Sequence, residues 1–440
     1  MTTAVAGLLL AGLAVPAIAD DDPPQTDQLW IDSPYDQTLP LGTGGGQARS
    51  RVLGIGLYHD NQNFAVTDGR LTVDVSGLAG VAEVTWPGNC APAGTSAVCD
   101  IPAVPVLGKD YQAQVLLTVR AADGAGVGAQ GTIAYGATAS GGPDGALAAP
   151  QESFSTALTV GSGPDLALDP VADIEGAQPG AELTVPFRIT NNGNESADGF
   201  SVTLHTSYGL TDLTPYDTCA YTTSGGGEYA PSGHAVCSFD QVLAPGDSFE
   251  LPGPLTVRLA PRALNERLDI DVEPGGGAQD IYSTNDYAAL QIGAENDADF
   301  SVTGDAVSGA AGETVTADLT FENHGPAWFG TLGSGDPAAK VRLIVPEGTT
   351  VTGVPSGCSP RTLAGSYYPS RTGAPRYDCA LPSWVREDAR QTFTLSLRVD
   401  TVVPGATGAV SVRPSFGEFG DEPFDFDPDL TNNTAVLTVN

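Results

Sequence analysis

The sequence predicts an all-β chain of three tandem immunoglobulin-like β-sandwich domains behind a signal peptide. Six cysteines fall into three local pairs, Cys90/Cys99, Cys219/Cys237 and Cys358/Cys379, at the same place in a repeated frame. Twenty residues beyond the second cysteine of each pair, a valine closes an apolar strand: Val119, Val257 and Val399. Glycine (55) and proline (34) are abundant while helical periodicity is scarce, as a turn-rich β chain requires.

At the amino end, residues 1–19 read as a secretory signal peptide. An apolar stretch from Ala4 to Val15 leads to the small-x-small cleavage site Ala17-Ile18-Ala19. The stretch is short for a membrane span. It has no basic residue ahead of it, so either the Met1 amine supplies the positive charge or the start lies upstream. Residues 20–26 are expected to be a disordered acidic N-terminus. No cysteine follows the cleavage site to take a lipid, and no later segment has the length and apolarity of a transmembrane helix. The expected location is extracellular, with the chain released or held at the cell wall by non-covalent contact.

Strand alternation supplies the register for each domain. Leu71/Val73/Val75, Phe200/Val202/Leu204 and Ala339/Val341/Leu343 precede the first cysteine of their pairs by identical steps. Leu183/Val185/Phe187/Ile189 and Val315/Ala317/Leu319/Phe321 alternate toward Asn191-Asn192-Gly193 and Asn323-His324-Gly325. Asn and Gly there are expected to supply the positive φ of a tight connection. The last strands also match: Ala157–Val160, Ala289–Ile292 and Val436–Val439. Repeats then begin at Asp27, Asp165 and Asp299, a period suited to whole domains rather than a solenoid. The expected domains are 27–163, 164–296 and 297–440, joined by linkers short enough to make a semi-rigid rod.

Six cysteines allow 15 pairings, and recurrence in each repeat favours the three local ones. Loops this short cannot tie the two sheets of a sandwich together as antibody domains do. Each repeat offers two cysteines and no recurrent histidine, which does not make a zinc site. There is no C-x-x-C redox pair, GxSxG elbow, phosphate loop or HExxH. No enzyme is expected.

The formal charge is −35, from 53 acidic and 18 basic residues, which excludes nucleic acid as a partner and favours solubility. One segment runs against this sign. Between Cys358 and Cys379 stand Arg361, Tyr367, Tyr368, Arg371, Arg376 and Tyr377, residue types that dominate binding hot spots. These six are the candidate contact residues for a wall glycan or an extracellular partner. The competing expectation is that the rings cover a sandwich edge and the arginines pair with carboxylates. A second candidate is the acidic run Glu418 to Asn433, where Asp425, Asp427 and Asp429 alternate as calcium ligands often do. A solvated acidic loop is the plainer reading. No other cofactor is expected, and the chain is expected to be a monomer.

The stretches FRITNNG (Phe187–Gly193) and FENHGP (Phe321–Pro326), and the Pro245, Gly246, Ser248, Leu251 pattern after Cys237, resemble the bacterial and archaeal surface repeat called domain of unknown function eleven. The resemblance covers the second and third repeats. The first has Asn61-Gln62-Asn63 without the glycine and is assigned by register. The resemblance implies immunoglobulin-like domains in tandem on a secreted or cell-wall protein, and no activity. A secreted or surface structural or adhesion protein is the expected function. An array of glycan- or polymer-binding modules using the loops between paired cysteines is the alternative.

Overall fold

Strands form where side chains alternate between a buried and a solvated face. The structure, a computed structural model, describes residues 26–42, 47–108, 112–227, 229–332, 334–415 and 423–440, without the side chains of 150–153. The expected signal peptide lies outside the described residues, as does nearly all of segment 20–26. The fold is all-β, and the described residues contain no α-helix. Two compact units divide the chain: 1–39 with 50–160, and 40–49 with 161–440.

The first unit is a sandwich of two sheets. Leu29–Asp32, Arg51–His59, Val115–Ala121 and Ala82–Thr85 are neighbours in that order, which is the A-B-E-D sheet of an immunoglobulin fold. The other sheet runs Gln37–Pro40, Ala146–Gly161, Gln130–Ser140, Val66–Asp74, Ser96–Val104, Cys90–Ala93. It holds the G-F-C strands, extended by a hairpin that carries the disulfide. Leu53, Ile55 and Leu57 from one sheet and Leu71, Val73 and Tyr135 from the other are fully buried.

The second unit uses this order twice, in a middle and a last sandwich, each with its own buried cluster. The middle six-stranded sheet runs Ile174–Ala177, Tyr287–Ala294, Asn265–Pro274, Ala197–Thr206, Ser232–Leu243, Cys219–Ser224. The last runs Ala306–Val307, Thr434–Val439, Ala406–Pro414, Ala339–Ile344, Arg376–Ala380, Cys358–Arg361. In both, the short first strand lies parallel to the final one, Ile174 opposite Ile292 and Ala306 opposite Thr438.

The opposing sheet is whole in the last sandwich: Ala298–Thr303, Thr314–Pro326, Arg390–Val399, Thr349–Gly353. In the middle sandwich it is split. The alternation Leu183 to Ile189 is not one strand but Glu182–Val185 and Ile189–Asn191. Pro186 between them has no N–H for a ladder, and Pro252 and Pro254 interrupt the facing strand likewise.

The positive-φ expectation for the turns at Asn191 and Asn323 is met only at Gly325, with φ 72°. Neither asparagine has positive φ; both are fully buried and bond through their side chains. Asn191 Nδ2 donates to Glu195 O and Leu243 O, while its Oδ1 accepts from Gly193 N and Asp165 N. Asn323 Nδ2 donates to Ala327 O and Arg386 O, and its Oδ1 accepts from Gly325 N. Gly193 is required by close approach, because a Cβ there would stand 2.3 Å from Gly163 O.

The disulfides are Cys90–Cys99, Cys219–Cys237 and Cys358–Cys379. Each joins directly opposed residues of the two outermost strands of a six-stranded sheet. They staple hairpins and leave the two sheets to be held by packing. With a separation of 18 residues, the Cys219–Cys237 loop is worth about 3 kcal/mol in the chain-entropy model. The double variant C219A/C237A is therefore expected to lose that much in urea unfolding. Unchanged stability would show that the hairpin is equally ordered without its bridge.

Candidate functional site

The predicted contact loop is anchored from beneath by an ion cluster. Arg342, Arg376 and Asp378 lie on adjacent strands, Arg342 directly opposite Asp378. Arg376 Nη2 meets Asp378 Oδ2 at 2.6 Å, and Arg342 Nε meets Asp378 Oδ1 at 3.2 Å. Burial alone would raise the Asp378 pKa. The hydrogen bond from Arg376 and the charges of Arg376, Arg342 and Lys340 outweigh it and hold the carboxyl below its usual range. Burial pushes Lys340 down; Asp378 opposes this, and Arg342, Arg376 and Arg361 add to it.

Of the six candidate contact residues, two are structural. Arg376 is only 8% exposed, with Gly365 of the loop passing over its guanidinium. Tyr377 is fully buried; its hydroxyl donates to Arg371 O and accepts from Ala374 N. Tyr368 is half-buried against the core. Arg361 is half-buried in a bridge with Tyr367. Arg371 is exposed and donates to Pro355 O at 2.6 Å. Tyr367, 74% exposed, offers the one open ring. Arg376 and Tyr377 thus serve the base of the loop, while Arg361, Tyr367, Tyr368 and Arg371 keep exposed or half-exposed surface.

Two of the alternating aspartates accept hydrogen bonds from backbone N–H groups. Asp427 Oδ2 accepts from Phe300 N and its Oδ1 from Asp429 N, while Asp429 Oδ1 accepts from Thr431 N and Oγ1. Asp280 makes the same two contacts in the middle sandwich, accepting from Leu166 N and Tyr282 N. Asp427 and Asp429 thus form turns, and Asp425 is exposed. Among the described residues no group of three or more His, Cys, Asp or Glu could hold a metal ion. Nor is any helix among them long and apolar enough to cross a membrane.

An aromatic junction between the middle and last sandwiches was missed by sequence reasoning. Tyr208 packs on Trp328 at 5.6 Å between centroids, and Trp328 on Trp384 at 5.5 Å. Arg262 sits 4.7 Å over the Trp328 ring and donates to Tyr208 O through Nε and Nη2. Tyr208 Oη donates to Trp328 O, and Trp328 N to Arg262 O. Leu264 is buried in the core of the last sandwich.

Beneath this junction lies Glu266, 1% exposed. Its carboxylate accepts from Ser207 Oγ, Gly209 N and Leu264 N, which fixes the turn bearing Tyr208. A Cβ on Gly209 would collide with it. Burial pushes Glu266 up to about 7 against those hydrogen bonds and the charge of Arg262. The signal was present in the sequence: Glu266 shares the inward parity of Leu268, Ile270 and Val272.

Beside the junction is a cleft of about 620 Å³. It is lined by Tyr229 from the loop between Cys219 and Cys237, by Trp384 and Gln391, and by the exposed Arg386 and Arg390.

No protein-family model and no curated protein matches the sequence. Among solved structures the chain is similar to a putative membrane-anchored protein from Corynebacterium diphtheriae, at 10% identity and a TM-score of 0.18, covering 94% of this chain and 95% of that one. It is also similar to the Escherichia coli adhesin FdeC, at 12% identity and a TM-score of 0.19, covering 94% and 96%. The titin I-band fragment I67–I69 aligns at 8% identity and a TM-score of 0.17, covering 94% and 97%. With scores this low, the fold assignment rests on the strand order itself.

Proposed function

We propose that the protein is a non-enzymatic structural or adhesion protein of the cell exterior. In this reading, 27–163, 164–296 and 297–440 are three immunoglobulin-like domains of the kind called domain of unknown function eleven. The observation that carries the reading is the threefold use of one sheet order, each with its own stapled hairpin. Disulfides persist in oxidising compartments, which favours export. Among the described carboxylates, Glu266, Asp280, Asp427 and Asp429 are spent on fixing turns.

A second reading is favoured by the cleft at Tyr229 and Trp384: an extracellular polymer, such as a wall glycan, binds there. Aromatic faces with flanking arginines suit such a chain. Fractionating producing cells with an antibody, followed by pull-down on isolated wall, tests both. The structural reading expects the protein in the wall or medium fraction, with retention unchanged in W384A/Y229A. Loss of wall retention in that variant selects polymer binding, and an intracellular pool of reduced protein rejects both.

A further inference from the structure

Two histidines face one another on the outside of the middle six-stranded sheet. His205, on Ala197–Thr206, stands directly opposite His234, on Ser232–Leu243. The adjacent residues Leu204 and Ala235 are buried, so both imidazoles project from the solvent face. Ser207 N donates to Arg267 O, and Ser238 N to Thr218 O. His205 is in step with Ser207 and His234 with Ser238, so the two turn their backbone bonds away from each other. They are therefore a narrow, non-hydrogen-bonded pair, the kind with Cα atoms about 4.5 Å apart and side chains closest. Their rings stack at 4.3 Å between centroids, with 23° between planes.

The surroundings favour a cation held by imidazole nitrogen. On the far side of His205 stands Asp269, followed in step by Asp271 and Glu273. These carboxylates set a negative field beside the pair. Asp269 itself is engaged by Arg267 and Tyr287. On the far side of His234 stands Thr222, its Oγ1 3.4 Å from His234 Nδ1. A bond at one ring nitrogen orients the other as a ligand, so Thr222 leaves Nε2 of His234 to an ion. Burial and the neighbouring His205 hold His234 below the ordinary imidazole value, which keeps it neutral at pH 7.

We propose that His205 and His234 bind one divalent ion of the copper, nickel and zinc class between them, copper most tightly. The site belongs to the middle sandwich. At the equivalent place in the last sandwich the directly opposed pair is Ile344 and Arg376. In the first, neither Val66–Asp74 nor Ser96–Val104 contains a histidine.

Imidazole nitrogen suits these ions, whereas calcium and magnesium take oxygen ligands. Copper stands highest in the general order of affinity. An ion shared by both rings lies in the plane of each, so the stack must open to admit it. His205 is exposed, and the last torsion of an imidazole is soft, so its ring can make that turn. Two protein ligands leave the remaining positions to water or to a donor from outside the chain.

Calorimetric titration of the full chain with CuCl2, NiCl2 and ZnCl2 in turn, at about pH 7.5 where imidazole is neutral, tests this. One Cu2+ per chain is expected, with Ni2+ and Zn2+ weaker. Electron paramagnetic resonance of the copper form should show coupling to two imidazole nitrogens. H205A and H234A should each weaken Cu2+ binding at least about tenfold, since losing even the hydrogen-bond partner of a ligand costs that much. H205Q and H234Q repeat the test should alanine disturb the fold. H324A, in the last sandwich, should bind like the unaltered chain. Failure to bind Cu2+, a copper signal without nitrogen coupling, or a loss in H324A equal to that in H205A overturns the proposal. Undiminished affinity in both H205A and H234A also overturns it, and assigns the ion to the carboxylates.

Discussion

Replacing Asp378 with alanine is expected to destabilise the last sandwich by about 3–5 kcal/mol, the cost of leaving buried charges without their counter-charge. Arg342 and Arg376 share this carboxylate, their side chains are 14% and 10% exposed, and Lys340 stands beside them. The loop over Arg376 should loosen with it, giving faster proteolysis between Cys358 and Cys379. Replacing all three together, as R342M/R376M/D378L, should cost far less, since apolar residues of similar volume substitute well for buried ionic groups. Urea unfolding of both variants decides. A D378A loss below about 1 kcal/mol would place the pair among ordinary surface bridges.

The second large effect is one of pH. Burial pushes Glu266 up to about 7, above the ordinary 4.5 of a glutamate, so the folded state holds its proton more tightly. Below the unfolded pKa both states are protonated and stability does not vary with this group. Between the two values the unfolded chain ionises first, so stability falls as pH rises. Above about 7 the loss is complete. At about 1.4 kcal/mol per tenfold change in proton affinity, the loss is on the order of 3 kcal/mol. Asp286, pushed up to about 7 by burial and by Asp280, Asp271 and Asp165, acts in the same direction. Calorimetry at about pH 5 and about pH 8 should show the middle sandwich melting higher in acid. E266Q removes the ionisable proton while keeping an acceptor, and should flatten that difference. An identical pH dependence in E266Q would assign the effect to Asp286 and general charge repulsion instead.

What the sequence disclosed depended on whether the cause was local. Strand alternation and cysteine register are local, and the strands and their threefold repeat followed from them. The break at Pro186 is local too, and proline chemistry outranks the alternation around it. Glu266 was legible in principle, as an acid on the inward parity of an apolar strand. The fate of Arg376 was not. By alternation it lies on the outer face with Asp378, and only the path of the loop, bringing Gly365 back over it, buries it. Arg376 and Tyr377 could not be told from contact residues because hot spots and buried anchors draw on the same residue types.

In the middle and last sandwiches, the parallel pairing of a short edge strand with the final strand bears on mechanical load. Parallel neighbours carry the chain in at one pole of a sandwich and out at the other. Tension applied through the two ends therefore acts along the ladder and loads its hydrogen bonds together in shear, instead of peeling them one at a time. In the last sandwich that ladder joins Ala306 to Thr438 and Val307 to Val439, continued by Thr438 N to Asp305 O and Asn440 N to Val307 O. The stapled hairpin lies at the far edge of the same sheet, outside the line of force. Its covalent bond thus lies off the path of tension, which runs through the ladder of the final strand.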